Sequence, residues 1–282
     1  LIDSIYKQVT KIILVSNENV NIHYKVDNCN HINLKKNYGI AYAQNVGIKM
    51  ALEEEADFIL TSDQDTMYPE HYVENMLNFY NEYKDKYKIA AVAPCFKDLN
   101  SNRYIEPIQI IKGDKINKYF INKNEKEKYF IVSHVISSGM LIEKNALKEI
   151  GLMKEEYFID WVDTEWCWRA YSQKYCILQN PNVIIQHVLG DNAKIILNYS
   201  ITEHNSIRRY YRVRNAVYLL LNEDMIDNKM RGYLIVSLLK MFVTHFYFSN
   251  NILKESINKY FAVKDAVLKS LGQNKHKIIE KL

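Results

Sequence analysis

The sequence predicts an α/β protein with a mostly parallel sheet flanked by helices and a helical extension at its C-terminal end. Three observations carry this. Short apolar runs of strand length alternate with helical repeats over residues 11–93. The links between them are short, as in sheets built from strand–helix–strand units. Beyond residue 203 strand signals give way to nearly continuous helix.

Each element follows from its residues. Residues 1–8 (LIDSIYKQ) read as the end of an amphipathic helix, so a first strand is expected upstream of Leu1. Residues 11–15 (KIILV) make a short apolar strand. Residues 39–55 repeat at helical spacing, with Ile40, Ala43, Val46, Gly47, Met50 and Ala51 on one face. Residues 56–61 (ADFILT) have the length and side chains of a buried strand. Pro69 suits the first turn of a helix over 70–84, and residues 89–93 (IAAVA) form the next buried strand. Residues 96–130 are polar and rich in Lys and Asn, and read as a long loop. A strand over 132–142, a helix over 144–150 closed by Gly151, a helix over 162–172 and a strand over 183–187 complete this part.

Within the helical part, residues 233–248 (YLIVSLLKMFVTHFYF) are too short to cross a membrane, and Lys240 and His245 interrupt them. Basic flanks (Lys229, Arg231, Lys254, Lys259) fit either a helix lying on a membrane surface or one packed on the domain, the commoner arrangement. The expected organisation is a sheet domain over 1–200 and a helical region over 201–282.

Composition sets bounds. The chain has 282 residues, 48% apolar and 25% charged, which fits a globular protein with ample core. A net charge of +4 does not demand nucleic acid, and none is expected as a partner. Cys29, Cys95, Cys167 and Cys176 lack zinc spacing and read as reduced thiols, which points to the cytoplasm.

Five segments could carry chemistry. Asp63-Gln64-Asp65 follows the 56–61 strand, where open α/β sheets bind ligands. Two neighbouring acids there suit a hard divalent ion with diphosphate oxygens, although such pairs also occur by chance in turns. Phe158 to Arg169 (FIDWVDTEWCWR) gathers Asp160, Asp163 and Glu165 with Trp161, Trp166 and Trp168. A capped acidic helix is one reading. The other is a carboxylate in an apolar setting, suited to general-base work beside aromatic walls that fit a sugar ring. His187 ends a strand and precedes a glycine turn; it is a structural side chain or, if near Asp65, a further ligand for Mg2+ or Mn2+. The segment from Asn37 to Gly47 lacks dinucleotide-binding glycine spacing, and its small residues serve helix packing or ligand approach, with Asn37 and Asn45 suited to polar contact. Arg208, Arg209, Arg212 and Arg214 lie within seven positions, a solvated basic face or a grip for a diphosphate or anionic lipid head group.

Together these residues resemble the inverting family 2 glycosyltransferases of the GT-A fold, in their bacterial rhamnosyltransferase branch. The resemblance rests on NYGIAYAQNVGI at 37–48, TSDQDT at 61–66, FIDWVDTEWCWRA at 158–170 and HVLGD at 187–191, in that order, with RRYYRVRN at 208–215. It spans about residues 1–225. It implies Asp65, Asp63 and His187 at a Mg2+ or Mn2+ ion, and Asp163 as the base, with Val162 where the family more often has Glu. Donor contacts would come from Ser16, Asn37, Asn45, Asp63 and Gln64, Ser16 standing near where the family has a base-reading Asp. Acceptor contacts would come from Trp161, Trp166, Ser138 and Gly139, and head-group or diphosphate contacts from Arg208, Arg209 and Arg212. The implied reaction moves L-rhamnose from dTDP-L-rhamnose to a glycan or polyprenyl-diphosphate-linked acceptor in envelope polysaccharide synthesis, in the cytoplasm or on the inner membrane face. A sugar nucleotidyltransferase and a non-catalytic nucleotide-sugar-binding homologue are the alternatives.

Overall fold

The apolar run that ends in the acidic tripeptide folds as a strand, β3 (Phe58–Thr61), in a seven-stranded sheet. The computed structural model describes residues 1–20, 26–98, 108–119, 127–187, 193–196, 199–202 and 204–276; the side chains at 98, 108, 187 and 193–202 lie outside the described residues. Before β3 come α1 (Ile2–Ile5), β1 (Ile12–Ser16), β2 (Cys29–Asn33) and α2 (Ile40–Glu53). After it come α3 (Tyr72–Tyr83), β4 (Ile89–Asp98), the hairpin β5 (Ile108–Lys112) and β6 (Lys115–Tyr119), β7 (Phe130–Val132), β8 (Met140–Glu143) and α4 (Lys144–Ile150). A single 3-10 turn at Glu155–Tyr157 leads into α5 (Val162–Ser172), then β9 (Cys176–His187), the hairpin β10 (Ala193–Ile196) and β11 (Tyr199–Thr202), and helices α6 (Ser206–Asn222), α7 (Asn228–Tyr247) and α8 (Ile252–Val267).

The sheet order is β3-β8-β4-β9-β7-β5-β6, and β1 pairs with β2 in a separate parallel ribbon. Strands β4 and β9 are parallel, and β8 runs antiparallel to both β3 and β4. So β3, β4 and β9 point the same way, with β8 reversed between the first two. The expected α/β sheet is there, and it is mixed: β8 follows a turn at Gly139 (φ +78), whose amide donates to the Thr61 carbonyl at 2.8 Å, and runs against both of its neighbours. A Cβ at Gly139 would lie 2.8 Å from the Ile185 side chain, so the turn needs glycine for space as well as for φ.

Alternating residues serve two faces. Val92, Leu141 and Leu178 pack with Tyr72, Met76 and Phe79 of α3. Their neighbours Ala91, Ile142 and Ile177 pack on the other face with Leu147 of α4, Trp166 and Trp168 of α5, and Val213 and Ala216 of α6. The helical region lies against this second face: Tyr233 of α7 meets His134 and Trp168 edge-on at 5.1 and 6.0 Å between ring centres.

Three element expectations change. The supposed loop at 96–130 contains the end of β4 and the β5–β6 hairpin, whose Gly113 turns at φ +60. The supposed strand over 132–142 is two strands separated by the 133–139 turn. Strand β9 begins at Cys176, because its pairing with β4 shifts register between Pro94 and Cys95 and so accommodates the turn-like Asn180-Pro181-Asn182. Strand β2 (CNHIN) goes unread in sequence, since its partly exposed residues carry no apolar alternation.

Candidate active site

Hydroxyls staple the acidic tripeptide to the turn before β8. Thr61 Oγ1 donates to the carbonyls of Ser137 (2.5 Å) and Met140 (3.2 Å). Ser138 Oγ accepts from the Asp63 amide at 3.4 Å and shares a short hydrogen bond with Thr66 Oγ1. The Thr66 amide donates to the Asp63 carbonyl at 3.4 Å, which closes the turn. Asp63 is half-buried, while Gln64 and Asp65 are exposed. The Met67 amide then bonds the Gln186 carbonyl at 3.5 Å, so the end of β9 lies along the same edge as the tripeptide. His187 is the next residue; its side chain lies outside the described residues.

Asp163 enters from the first turn of α5. Its Oδ2 accepts from the Ser137 amide at 3.1 Å and its Oδ1 from the Thr164 amide at 2.8 Å. Desolvation is the main cause that lifts its pKa to about 6; the two amide bonds oppose the rise, and the charges of Asp63 and Asp160 add to it. The two acidic segments, a hundred residues apart, therefore share one electrostatic neighbourhood. A carboxyl poised near neutrality is suited to taking a proton.

The loop that aims α5 is held under strain. Phe158, Asp160 and Trp161 all have positive φ, at 65, 62 and 67°. Asn215 of α6 clamps this loop, with Nδ2 at 2.9 Å from each of the carbonyls of Tyr157, Ile159 and Asp160. Buried Arg214 donates to the carbonyls of Glu156 (3.2 Å), Tyr157 (3.0 Å) and Gly272 (2.6 Å). On the other side Gly39 at the start of α2 abuts the loop, and the Ile40 amide donates to the Phe158 carbonyl at 2.7 Å. A Cβ on Gly39 would stand 2.6 Å from that carbonyl oxygen.

The arginine run therefore divides by helix face. Arg214 and Arg209 point inward; Arg209 pairs with Glu255 at 3.1 Å and donates to the carbonyls of His204 and His245. Arg208 is exposed and forks onto Asp160 through Nε and Nη2 at 3.1–3.3 Å. Burial pulls the Arg208 pKa down, but the charge and hydrogen bonds of Asp160, with the charges of Asp63 and Asp163, push it up overall. Arg212 lies 3.9 Å from Asp160 and 2.8 Å from His204 Nε2. Sequence reading missed Asn215 and Arg214 as loop clamps. The signal was the apolar spacing of Tyr210, Val213 and Val217, which puts Arg214 among buried neighbours.

Several expected contacts are corrected. Asn45 is buried and exchanges hydrogen bonds with the Met153 backbone (2.8 and 3.0 Å), so it packs α2 rather than meeting a donor. Trp166 is fully buried with Nε1 on the Gly151 carbonyl at 2.9 Å, and offers no wall to an acceptor. Ser138 and Gly139 are buried under the acidic turn and support it instead of flooring an acceptor site. Ser16 is buried at the end of β1 with its hydroxyl 2.7 Å from His31 Nε2. Arg209 is buried in its ion pair and cannot reach a head group. Trp161 is half-buried, with Nε1 donating to the Arg212 carbonyl at 3.0 Å, and Asn37 is exposed, with Oδ1 accepting from Asn17 and Gly39.

The donor set suits a hard divalent ion. Among the described residues no group of three or more His, Cys, Asp or Glu side chains stands ready to hold a metal. Mg2+ and similar ions do not require such a cage; they are held by one or two carboxylates with waters and substrate phosphates, and Asp65 and Asp63 on an accessible turn fit that role.

The sequence profile of Glycosyl transferase family 2 matches residues 1–151, more than half of the chain. The chain belongs to that family. It is 36% identical over 193 residues to dTDP-rhamnosyl transferase RfbF of Shigella flexneri, covering 68% of this family 2 chain and 63% of RfbF, just under two thirds of that relative's length. Its fold is similar to that of S. aureus TarS, with a TM-score of 0.59, 15% identity, and coverage of 95% of this chain and 46% of TarS. A structure of GalNAc-T7 with UDP, GalNAc and Mn2+ superposes with a TM-score of 0.55 at 11% identity, over 87% of this chain and 54% of that one. These likenesses show the GT-A fold. Among the described residues no helix is long and apolar enough to cross a membrane.

Proposed function

We propose that this chain is a metal-dependent inverting glycosyltransferase that moves L-rhamnose from dTDP-L-rhamnose to a hydroxyl of a glycan or polyprenyl-diphosphate-linked glycan, in envelope polysaccharide synthesis on the cytoplasmic side of the membrane. The observation that carries the reading is the Asp163 carboxyl, held by the Ser137 amide at 3.1 Å on the turn whose Ser138 hydroxyl accepts from the Asp63 amide at the end of β3. The similarity to a protein described as a dTDP-rhamnosyl transferase supports the donor.

In this reading the Asp163 carboxylate takes the acceptor hydroxyl proton as the acceptor oxygen attacks the anomeric carbon. The bond from that carbon to the diphosphate breaks, and dTDP leaves with the electron pair. Asp65, Asp63 and His187 would hold Mg2+ or Mn2+; such an ion, when bound, offsets the charge that develops on the leaving diphosphate. Arg208, released from Asp160, would meet the same diphosphate. Gln64 and Asn37 would contact the donor, and Trp161 would flank the acceptor ring.

The test is transfer of label from radiolabelled dTDP-L-rhamnose, with Mn2+, to a lipid-linked glycan acceptor. Label in the acceptor, lost in Asp163→Asn, is the expected result. Undiminished transfer by Asp163→Asn would remove Asp163 from the mechanism. Calorimetric binding of the donor without turnover under any acceptor would favour a non-catalytic nucleotide-sugar-binding protein.

A further inference from the structure

The two outer helices carry large exposed apolar side chains that the site does not use. One face of α7 is packed inward through Met230, Leu234, Met241 and His245. A helix advances about 100° per residue, so positions four apart drift only about 40°. Ile235, Leu239, Val243 and Tyr247 are so spaced, and all point outward; Leu239, Val243 and Tyr247 are 63, 70 and 70% exposed. Val236 falls in the same arc. Five and six residues beyond Tyr247, Ile252 and Leu253 on the first turn of α8 are likewise 69 and 71% exposed. Scattered exposed apolar side chains are ordinary, but a row of this length is not.

The charges around this row identify its partner. Helix α7 contains no Asp or Glu in its twenty residues. Helix α8 contains two acids, and both are buried: Glu255 with Arg209 and Lys259, and Asp265 with Tyr210 and His276. What these helices show to solvent beside the apolar row is cationic: Arg231 and Lys240 flank it on α7, and Lys254 and Lys264 stand on α8. A second copy of the same face would set cation against cation. An anionic lipid surface matches both features, since acyl chains receive the apolar side chains and head groups meet the lysines.

We infer that the outer face of α7 and the first turn of α8 dock this chain on an anionic phospholipid bilayer. This does not rest on the sugar-transfer reading, because the observations and the test involve no donor.

The full chain is sedimented with phosphatidylcholine vesicles with and without phosphatidylglycerol. Binding that requires phosphatidylglycerol and weakens with salt is expected. The double variant Leu239→Glu/Val243→Glu, at exposed positions, should abolish binding, and Lys240→Glu/Lys254→Glu should weaken it about tenfold or more. Circular dichroism melting checks that both variants remain folded. Absence of binding to either vesicle, or equal binding by the apolar variant, would overturn the inference. So would sedimentation velocity showing a dimer that Leu239→Glu/Val243→Glu dissociates, for then a second copy covers the face.

Discussion

The Ser137 amide donates to the Asp163 carboxylate across 3.1 Å, and this bond ties the turn beneath the acidic tripeptide to the helix that carries the proposed base. The next residue, Ser138, receives the Asp63 amide. Two adjacent serines thus space Asp163 against Asp63, so the separation of the two acids is set by the one turn that contacts both the end of β3 and the start of α5.

The first prediction concerns pH. A raised Asp163 pKa keeps the carboxyl protonated to higher pH than an ordinary Asp, so base activity is lost as pH falls through about 6 and is fully present well above it. A plot of kcat/KM should therefore rise with pH through a midpoint at about 6 and level well above it. A plateau persisting down to about pH 4.5, in the range of an unperturbed carboxyl, would contradict the assignment. Asp163→Asn should lower kcat by about 100-fold to 10,000-fold while donor affinity, read by calorimetry, is kept.

Asn215 should behave as a positioning residue. It is fully buried and its side chain holds three carbonyls of a loop with three positive-φ residues. Asn215→Ala leaves those carbonyls short of donors, at about 2–4 kcal/mol, and should lower Tm by roughly 4–12 °C. Measured below its Tm, the variant should lose kcat more than it raises KM for the donor, because the misaimed group is the proposed base.

Two glycines of α2 and its cap should respond in opposite directions. Gly39→Ala places a methyl 2.6 Å from the Phe158 carbonyl oxygen at φ +91, and thermal melting should show a loss of more than about 2 kcal/mol. Gly47→Ala meets Val15 and Ile13 at an ordinary 3.5 and 3.9 Å inside a helix, and should stabilise by up to about 1 kcal/mol.

Neighbouring arginines should separate stability from binding. Arg209→Ala removes one of the two cations on buried Glu255, leaving Lys259, and should cost about 1.5–3 kcal/mol in unfolding experiments. Arg208 is exposed although its partner Asp160 is mostly buried, and Asp160 keeps Arg212 at 3.9 Å, so Arg208→Ala should cost about 1 kcal/mol and lower Tm less than Arg209→Ala does. Its donor KM should rise about tenfold, the loss of one charge-assisted diphosphate contact.

Chelation addresses the ion. EDTA should abolish transfer and added Mn2+ restore it, and Asp65→Asn should raise the Mn2+ concentration needed for half activity about tenfold or more. Activity indifferent to chelation would show that Asp65 acts without a metal.

Local pattern determined much of this protein. Apolar runs bounded by breakers located β3 and the core of β4, helical spacing located α2 and α5, and the i, i+4 pair of Glu165 and Arg169 forms as its spacing implies, at 2.8 Å. The acids at the end of β3 and the start of α5 stood out because residue type and position within an element are local properties. Tertiary structure alone decided which polar residues face solvent. Asn45, Trp166, Ser138 and Arg209 carry chemistry suited to a ligand, yet each is engaged with backbone or side chains distant in sequence. It likewise decided that β8 enters the sheet reversed, that Asn215 clamps the loop before Asp163, and that α7 buries one side while leaving an apolar row outside. The reason is physical: a side chain's partners depend on contacts between segments tens to hundreds of residues apart, which no local periodicity encodes, whereas the propensity to form a strand or helix is written in adjacent residues.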